Sequence, residues 1–518
     1  MFEKLGKFIV KRSKLVLLSF IITTIIAGAV GSLSFGRLDS GGYSDLNSDS
    51  AKAAKYVVDV FGAEEPVAVM VVDSASSTID DPTVASTAVE IEKKIQGQKG
   101  VSKTYSYWST GGSPTMKSKD GKAGFILVYS DLDAFDWDGL GALGASLQEA
   151  FDGEYKNVHI YASGAGVITY AINHKIEKDL VLAESIAIPL TFLLLVFVFG
   201  ALVASATPLF VGVTAILGSF FIIYLLTLFT NVSVFALNLI TGLGLGLGID
   251  YALLMVNRFR EELHNGHSVE ESVVTTVATA GKTVFYSGLT VFVTMASLLF
   301  FPLEFLKSFG YAGVAVITFA VIGAVIALPA LLAVLGEKVD KGVIRKSAIT
   351  PKEDGRWAHT ARNVMQRPVP VVLACLVVLG ILAAPVTNIS FAQVDSRVLP
   401  ASNPAAIASQ IVDTRFDGLI GSPIEVVVPN GVGRESEITT FLDKVKKVEG
   451  IVRVGAIETY KQDIRVQVIS SVPSRSTESI KVIHDIRDLE QPAGTLIGGA
   501  AADFTDSQDG IARTLPLA

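Results

Sequence analysis

The chain has 518 residues, of which half are hydrophobic and only 18% are charged, and its mean hydropathy is +0.50. This composition is typical of a membrane protein, and the length exceeds that of one ordinary domain. A net charge of −7 spread over the chain argues against nucleic-acid binding, because nucleic-acid binders concentrate Lys and Arg on one face. The single cysteine, Cys375, excludes an intrachain disulfide.

Seven apolar stretches approach the roughly 20 residues that a membrane-spanning helix needs. They are 15–35, 183–199, 202–229, 232–256, 283–301, 309–335 and 369–389. The first stretch follows a run of basic residues, but its apolar core is too long for a cleaved signal peptide. We therefore predict seven transmembrane helices.

Basic residues are concentrated before the first span and between the sixth and the seventh, which predicts that both regions are cytoplasmic. We expect a multi-pass protein of the inner (plasma) membrane with a cytoplasmic N-terminus. The predicted divisions are 1–35 (N-terminus and first span), 36–182 (first outer domain), 183–335 (five spans), 336–368 (cytoplasmic linker), 369–389 (seventh span) and 390–518 (second outer domain).

The two outer segments share one predicted order, strand, helix, strand, strand, helix, strand, as in ferredoxin-like βαββαβ domains. The elements are 67–72, 83–96, 101–107, 123–129, 138–151 and 159–162 in the first, and 424–428, 435–448, 452–456, 464–468, 479–489 and 495–498 in the second. SDSAKAAKYVVDVF from Ser48 also resembles SNPAAIASQIVDTRF from Ser402, which indicates an internal duplication.

The predicted fold class is thus an α-helical membrane protein with a 1+5+1 arrangement of spans and two α+β extracytoplasmic domains. Five spans follow the first outer domain, whereas the sequence stops at the end of the second. We expect the chain to be C-terminally incomplete by five helices.

The fourth span contains an unusual run of small residues ahead of a charge. Its glycines are Gly242, Gly244, Gly246 and Gly248. Their spacing does not form G-x-G-x-x-G, and a membrane span lacks the βα context of a dinucleotide loop. On a helix they form two overlapping small-xxx-small pairs, which allow close helix packing. One row of glycines leads to Asp250 and the other to Tyr251.

Asp250 is the one charge well inside a predicted span. An aspartate there costs roughly 2.5 to 3.5 kcal/mol, so we expect it to face the bundle interior and to have a partner. Desolvation favours the protonated carboxyl, so Asp250 is a candidate proton carrier. Two alternatives stay open: a carboxylate that only ties helices together, and a sodium ligand.

Other polar residues have weaker signals. Arg258 and Arg260 are predicted to anchor the fourth span at lipid headgroups, with a proton entry path as the alternative. Ser287, with Thr290 and Thr294, shares one face of the fifth span and could extend a proton route, although such hydroxyls often bond to their own backbone.

No cofactor or metal site is expected. The H-x-x-H pair at His264 and His267 surrounds Asn-Gly and favours a cytoplasmic turn over a metal site. The sequence contains no P-loop, nucleophile elbow or paired catalytic carboxylates, so we expect a protein that is not an enzyme and uses an ion gradient.

The chain resembles the MMPL proteins of actinobacteria, within the resistance-nodulation-division superfamily of transporters. The resemblance rests on G-x-x-x-D-Y at Gly246, Asp250 and Tyr251, on the NRFREE that follows, and on FPLEFLKSFGYAG from Phe301 and RVLPASNPA from Arg397. It covers essentially the whole chain.

This resemblance implies a proton-driven exporter that moves lipids or other hydrophobic compounds from the inner membrane toward the cell envelope. It implies a proton relay in which Asp250 and Tyr251 meet a second Asp-Tyr pair from a tenth span, with Ser287 beside them. No tenth span is present here, so the partner would come from a missing C-terminal half or from another copy in a homo-oligomer such as a trimer.

Two other functions are compatible with the resemblance. Superfamily relatives handle other cargo, including drugs, sterol-like molecules and translocated proteins, and fold alone does not identify cargo. A non-transporting scaffold or binding protein is the other alternative.

Overall fold

The computed structural model describes residues 1–35, 37–39, 41–62, 66–132, 136–344, 356–388, 395–416 and 423–517. Part of the predicted cytoplasmic linker, including the basic residues Arg345, Lys346 and Lys352, lies outside the described residues. The structure divides into two compact units, which we call the helical unit (1–38, 181–299 and 306–390) and the α+β unit (39–180, 300–305 and 391–518).

The helices are, in chain order, α1 (Phe2–Lys11), α2 (Ser13–Gly31), α3 (Asp49–Phe61), α4 (Pro82–Gln96), α5 (Trp137–Phe151), α6 (Ala165–Phe199), α7 (Leu202–Leu226), α8 (Ala236–His264), α9 (Val269–Thr276), α10 (Lys282–Ser297), α11 (Glu304–Ile322), α12 (Leu328–Leu335), α13 (Arg356–Gln366), α14 (Pro368–Ala383), α15 (Pro404–Arg415), α16 (Glu435–Val445), α17 (Thr477–Arg487) and α18 (Ala500–Thr514). The strands are β1 (Ala68–Asp73), β2 (Val101–Ser106), β3 (Ala123–Ser130), β4 (Gly153–Tyr155), β5 (Val158–Ser163), β6 (Ile424–Val428), β7 (Ile451–Tyr460), β8 (Asp463–Ser470) and β9 (Leu496–Gly498).

Seven helical segments of the described chain are long and apolar enough to cross a membrane, which confirms the predicted number. They are Ser13–Ser34, Ala165–Phe199, Leu202–Leu226, Ala236–His264, Val269–Phe300, Glu304–Asp340 and Pro368–Val386. Most of these helices extend beyond the apolar stretch, because polar residues continue the backbone hydrogen-bond ladder after the apolar composition ends. In particular, α8 continues through NRFREEL, which was predicted to end the span.

Two π-helical turns interrupt the helical unit, at Val277–Gly281 between α9 and α10 and at Gly323–Ala327 before α12. The second turn has a local cause. Pro329 has no N–H to donate to the carbonyl of Val325, four residues earlier, and the helix widens there. A continuous apolar period in the sequence does not distinguish such turns from regular helix.

The α+β unit contains two antiparallel sheets, ordered β2-β3-β1-β5-β4 and β7-β8-β6-β9. Apart from the short β4, which was not predicted, each sheet has the strand order of the predicted ferredoxin-like fold. Helices α4 and α5 cover the first sheet with buried side chains such as Ile91, Ile95 and Leu147, and α16 and α17 cover the second.

The two α+β halves exchange a helix. Helix α3 precedes the first sheet in the chain but packs on the second, where Ala53 Cβ would lie 2.8 Å from a Cβ added to Gly498. In the same way α15 packs on the first sheet, and the ring of Phe416, which follows it, is fully buried with its centroid 5.0 Å from that of Phe125. Both predicted outer domains therefore fall in a single compact unit.

Candidate functional site

The central helix of the candidate site, α8, packs closely on α7 through one row of glycines. A Cβ added to Gly248 would lie 2.6 Å from the Cα of Gly212, and one added to Gly244 would lie 2.7 Å from Cγ1 of Ile216. Real Cβ atoms do not approach other atoms so closely. Gly244 and Gly248 are thus required for the helix-to-helix distance in the α7–α8 pair.

The second row has a different environment. A Cβ added to Gly242 or to Gly246 would meet no atom of the described chain within 4 Å, and both residues are exposed. Residues two apart on an α-helix point about 200° from each other, so close packing of the first row turns the second row outward. Gly242 and Gly246 therefore do not pack against a neighbouring helix of the described chain.

Asp250 continues this outward row. It lies four residues after Gly246 and is exposed, so the prediction that it faces the bundle interior is wrong for the chain described here. The physical reason is the same rotation about α8 that places Gly244 and Gly248 against α7. Gly242, Gly246 and Asp250 together form a stripe, which we call the open face of α8.

Tyr251 follows the packed row and is 4% exposed. Its hydroxyl oxygen lies 3.7 Å from the position of a Cβ added to Gly288 of α10, and the Ser287 hydroxyl is close enough to interact with it. The geometry nevertheless leaves the Tyr251 hydroxyl without a well-formed hydrogen bond among the described residues. Tyr251 and Ser287 are thus brought together, whereas Asp250 projects about 100° further round the helix.

The threonines of α10 do not extend this pair into a hydrogen-bonded chain. Thr290 donates to the carbonyl of Tyr286 at 3.1 Å, and Thr294 donates to the carbonyl of Thr290 at 3.0 Å. Both hydroxyls therefore bond to their own helix, which is the alternative that the sequence analysis left open.

At the C-terminal end of α8, Arg260 is buried, with 4% exposed. Its guanidinium donates to the Phe199 carbonyl at the end of α6 (3.0 Å) and pairs with Asp340 at 2.7 Å. The prediction that Arg260 anchors the helix at lipid headgroups is therefore wrong. Arg260 is four residues after Val256 and shares its face of α8, but the sequence alone does not show that this face is packed.

Arg258 pairs instead with two acids of its own helix, Glu261 at 2.8 Å and Glu262 at 2.5 Å. The two histidines of the H-x-x-H pair contact different carboxylates. His264 lies 3.4 Å from Asp340, and His267 lies 2.9 Å from Glu262. Each histidine thus contacts a carboxylate that already pairs with an arginine of α8, and the two histidines do not share a ligand set; no group of three or more metal-ligating side chains is found in the described ranges.

The described residues of the α+β unit line two cavities that no sequence pattern predicted. The larger, of about 860 Å³, is lined by charges of both signs: Asp45, Lys52, Arg487, Asp506, Asp509 and Arg513. The smaller, of about 400 Å³, is mainly apolar and includes Ile172, Ile176 and Leu399. Their walls come from segments far apart in the chain, so no local sequence pattern marks them.

Comparison with known proteins adds independent information. A profile of the MMPL family matches residues 43–371. Over its whole length the chain is similar to the Streptomyces coelicolor membrane protein SCO6666, with 30% identity and 71% of that protein covered. It is 26% identical to the trehalose monomycolate exporter MmpL3 of Mycobacterium tuberculosis, with 98% of this chain and 59% of that protein covered.

A third relative shares a shorter region. The chain is 28% identical over 70% of its length to the mycolic acid-containing lipids exporter MmpL11 of Mycolicibacterium smegmatis, of which 40% is covered. The chain thus spans little more than half of the MmpL3 relative and less than half of the MmpL11 relative.

Proposed function

The chain belongs to the MMPL family, and from this premise we propose that it acts in the export of lipids or other hydrophobic compounds from the membrane toward the cell envelope, driven by protons that Asp250 binds and releases. The cargo class is supported by the names of two relatives, both exporters of lipids with mycolic acyl chains. The proposal also places the N-terminus in the cytoplasm and the α+β unit on the outer side.

The observation that supports proton coupling is the arrangement of Asp250 and Tyr251. The carboxylate lies on the open face of α8, and the neighbouring phenol is buried beside Ser287 with its hydroxyl poorly satisfied. A carboxylate exposed to hydrocarbon is costly, so a working transporter needs a polar partner on this face. We propose that a further helix covers the open face, from residues outside 1–518 or from a second copy of the chain.

Within this arrangement each residue has one task. Asp250 accepts a proton from the outer side and releases it toward the cytoplasm, and Tyr251 with Ser287 provides hydroxyls that hydrogen-bond along the route. Neutralising Asp250 removes the cost of placing it against another helix, so protonation favours closer packing on the open face. Gly242 and Gly246, which lack side chains, leave room for that approach.

The test is Asp250→Asn in the full-length product of the native gene, with lipid in the outer envelope measured by mass spectrometry. We expect export to fall at least tenfold while the variant protein remains folded and in the membrane. Asp250→Glu is the matched control, because it retains a titratable carboxyl and should keep part of the activity. Full export by Asp250→Asn would contradict proton coupling through this residue.

A sodium gradient is the competing energy source. Export by the parent protein should follow an imposed pH difference and be indifferent to sodium at constant ionic strength. Dependence on sodium at a fixed pH difference would instead assign Asp250 as a sodium ligand. If neither gradient matters and Asp250→Asn has no effect, the protein is a scaffold or binding partner.

A further inference from the structure

Helix α1 is docked on the helical unit by one of its faces. Gly6 and Ile9 are buried in this contact, and a Cβ added to Gly6 would lie 3.0 Å from the Cα of Val274 in α9. The ring of Phe2 meets that of Phe285 in α10 edge-to-face, with centroids 5.7 Å apart. The docked face thus holds α1 in a defined orientation.

The opposite face of α1 is basic. Lys4, Lys7 and Lys11 are exposed at spacings of three and four residues, which place them on one side of the helix. Phe8 lies among them with 52% of its surface exposed. We call these four residues the basic face of α1; the acid of the same helix, Glu3, pairs with Lys7 at 2.6 Å.

This face lies next to a membrane span. The first candidate span begins at Ser13, and the backbone of Arg12 leaves helical geometry (φ −130°, ψ 31°), so α1 bends away from α2 instead of continuing it. The exposed Lys14 and Leu15 follow directly. A helix of this kind, with one aromatic side chain among several lysines beside a span, matches an interfacial element.

We propose that the basic face of α1 binds anionic phospholipid headgroups, with Phe8 inserted at the level of the acyl chains. Charge complementarity carries the argument, because lysines beside a span are attracted to an anionic leaflet and an exposed phenylalanine gains from burial in it. The inference concerns a lipid of the surrounding bilayer and does not depend on what the protein exports or on how export is driven.

The docked face connects this lipid contact to the candidate site. A Cβ added to Gly6 would lie 3.5 Å from Cβ of Val277, the first residue of the π-helical turn that leads into α10. Phe2 contacts α10 two residues before Ser287. The helix proposed to bind anionic lipid therefore also contacts α10, the helix that carries Ser287.

The experiment measures lipid proximity at α1 in the full 518-residue chain. Lys14→Cys in a Cys375→Ser background accepts a bimane fluorophore, and the protein is placed in phosphatidylcholine nanodiscs with a small fraction of spin-labelled lipid. The spin label is attached to phosphatidylglycerol in one sample and to phosphatidylcholine in the other. We expect stronger quenching by phosphatidylglycerol, with a preference that decreases as salt is added.

Removal of each lysine should lower the association with anionic lipid roughly fivefold. The triple variant Lys4→Gln, Lys7→Gln and Lys11→Gln should therefore lose most of the preference. Two controls separate charge at α1 from net charge and from misfolding. Lys55→Gln, Lys93→Gln and Lys99→Gln removes three exposed lysines of the α+β unit and should keep the preference. A variant with arginine in place of the three α1 lysines should also keep the preference for phosphatidylglycerol.

Equal quenching by both lipids in the parent protein at low salt would overturn the proposal. A preference that survives the triple glutamine variant would overturn it as well. In either case the basic face would be free for a soluble acidic partner. Because Asp250→Asn leaves α1 unchanged, failure of the proposed proton coupling would not alter these results.

Discussion

The hydroxyl oxygens of Ser163 and Ser409 lie 2.8 Å apart, although the residues are separated by 246 positions in the chain. Ser163 ends β5 of the first sheet, and Ser409 lies on α15, which precedes the second. Arg415 strengthens the same contact with two hydrogen bonds to Asp73, of 2.8 and 2.9 Å. The contact between Ser163 and Ser409 thus joins α15 to the first sheet and is direct evidence of the helix exchange.

Cysteines at these two positions should form a disulfide. In a Cys375→Ser background, we expect Ser163→Cys with Ser409→Cys to oxidise nearly completely, because the two side chains already meet. Peptide mapping under non-reducing conditions measures the product. The matched control is Ser163→Cys with Ala53→Cys, which places the second thiol on α3. Cross-linking of the control, and not of the test pair, would contradict the exchange.

The two glycine rows of α8 should respond differently to one added methyl group. Gly248→Ala forces a Cβ against the backbone of Gly212 and should destabilise the protein by about 1 to 3 kcal/mol. Gly246→Ala meets no described atom and should stabilise α8 by about 0.5 to 1 kcal/mol, because alanine favours helix. Thermal unfolding of both variants in the same detergent measures the two changes in stability. Equal changes would refute the assigned rotation of α8.

Arg260 should matter far more for stability than Arg258. Arg260→Met removes a buried cation and leaves Asp340 and the Phe199 carbonyl without it, at a cost of about 2 to 3 kcal/mol. This loss of stability is small for a buried ion pair, because 24% of the Asp340 side chain is exposed. Arg258→Met should cost less, about 1 kcal/mol, because the Arg258 side chain is 33% exposed and the buried Glu262 keeps its contact with His267 at 2.9 Å.

A double-mutant cycle checks the assignment. Arg260→Met combined with Asp340→Asn should cost less than the sum of the single changes, because each variant already lacks the same ion pair. The free energies come from titration with a denaturing detergent. Additive effects would mean that the two residues do not interact.

Two aspartates of α18 should give opposite pH dependences. Burial raises the pKa of Asp503, although Ser44 donates a hydrogen bond to it. A carboxyl with a raised pKa stabilises the fold most when protonated, and this contribution is lost as pH rises through the folded pKa. Asp503→Asn should therefore stabilise the protein at pH 7, with a benefit that shrinks toward pH 4.

Asp506 is also buried, which alone would raise its pKa, but hydrogen bonds and the charge of Arg487 lower the pKa overall. Its contribution is present above the ordinary aspartate pKa of about 4 and is lost as pH falls through the folded pKa. Asp506→Asn should therefore destabilise the protein at pH 7 and matter less in acid. The unfolding temperature provides the measurement, between about pH 4 and 7 for Asp503→Asn and between about pH 2 and 7 for Asp506→Asn.

Much of the fold was predictable because it depends on local patterns. Apolar length identified all seven spans, and alternation with turn residues identified every strand except β4, which has three residues. Helix ends were less predictable, since capping by residues such as Ser268 and Asp81 operates independently of apolar composition.

Features that depend on distant segments were not predictable. The period of α8 places Asp250 and Tyr251 on different sides, but only the position of α7 determines which side is packed. The helix exchange escaped prediction for a related reason: elements adjacent in sequence usually pack together, and α3 and α15 do not. The pairing of Arg260 with Asp340 required knowing that the end of α8 meets the end of α6 and the 3-10 turn Gly336–Asp340 after α12.

The helix exchange also delays completion of the first α+β half during synthesis. The first sheet leaves the ribosome long before α15, which packs on it and which follows six further spans in the chain. At translation rates of about 5 to 20 residues per second, the separation of 246 positions from Ser163 to Ser409 corresponds to a wait of roughly 12 to 50 seconds. During that interval the face of the first sheet that will receive α15 stays uncovered, and transiently exposed apolar surface of this kind makes a nascent chain prone to aggregation.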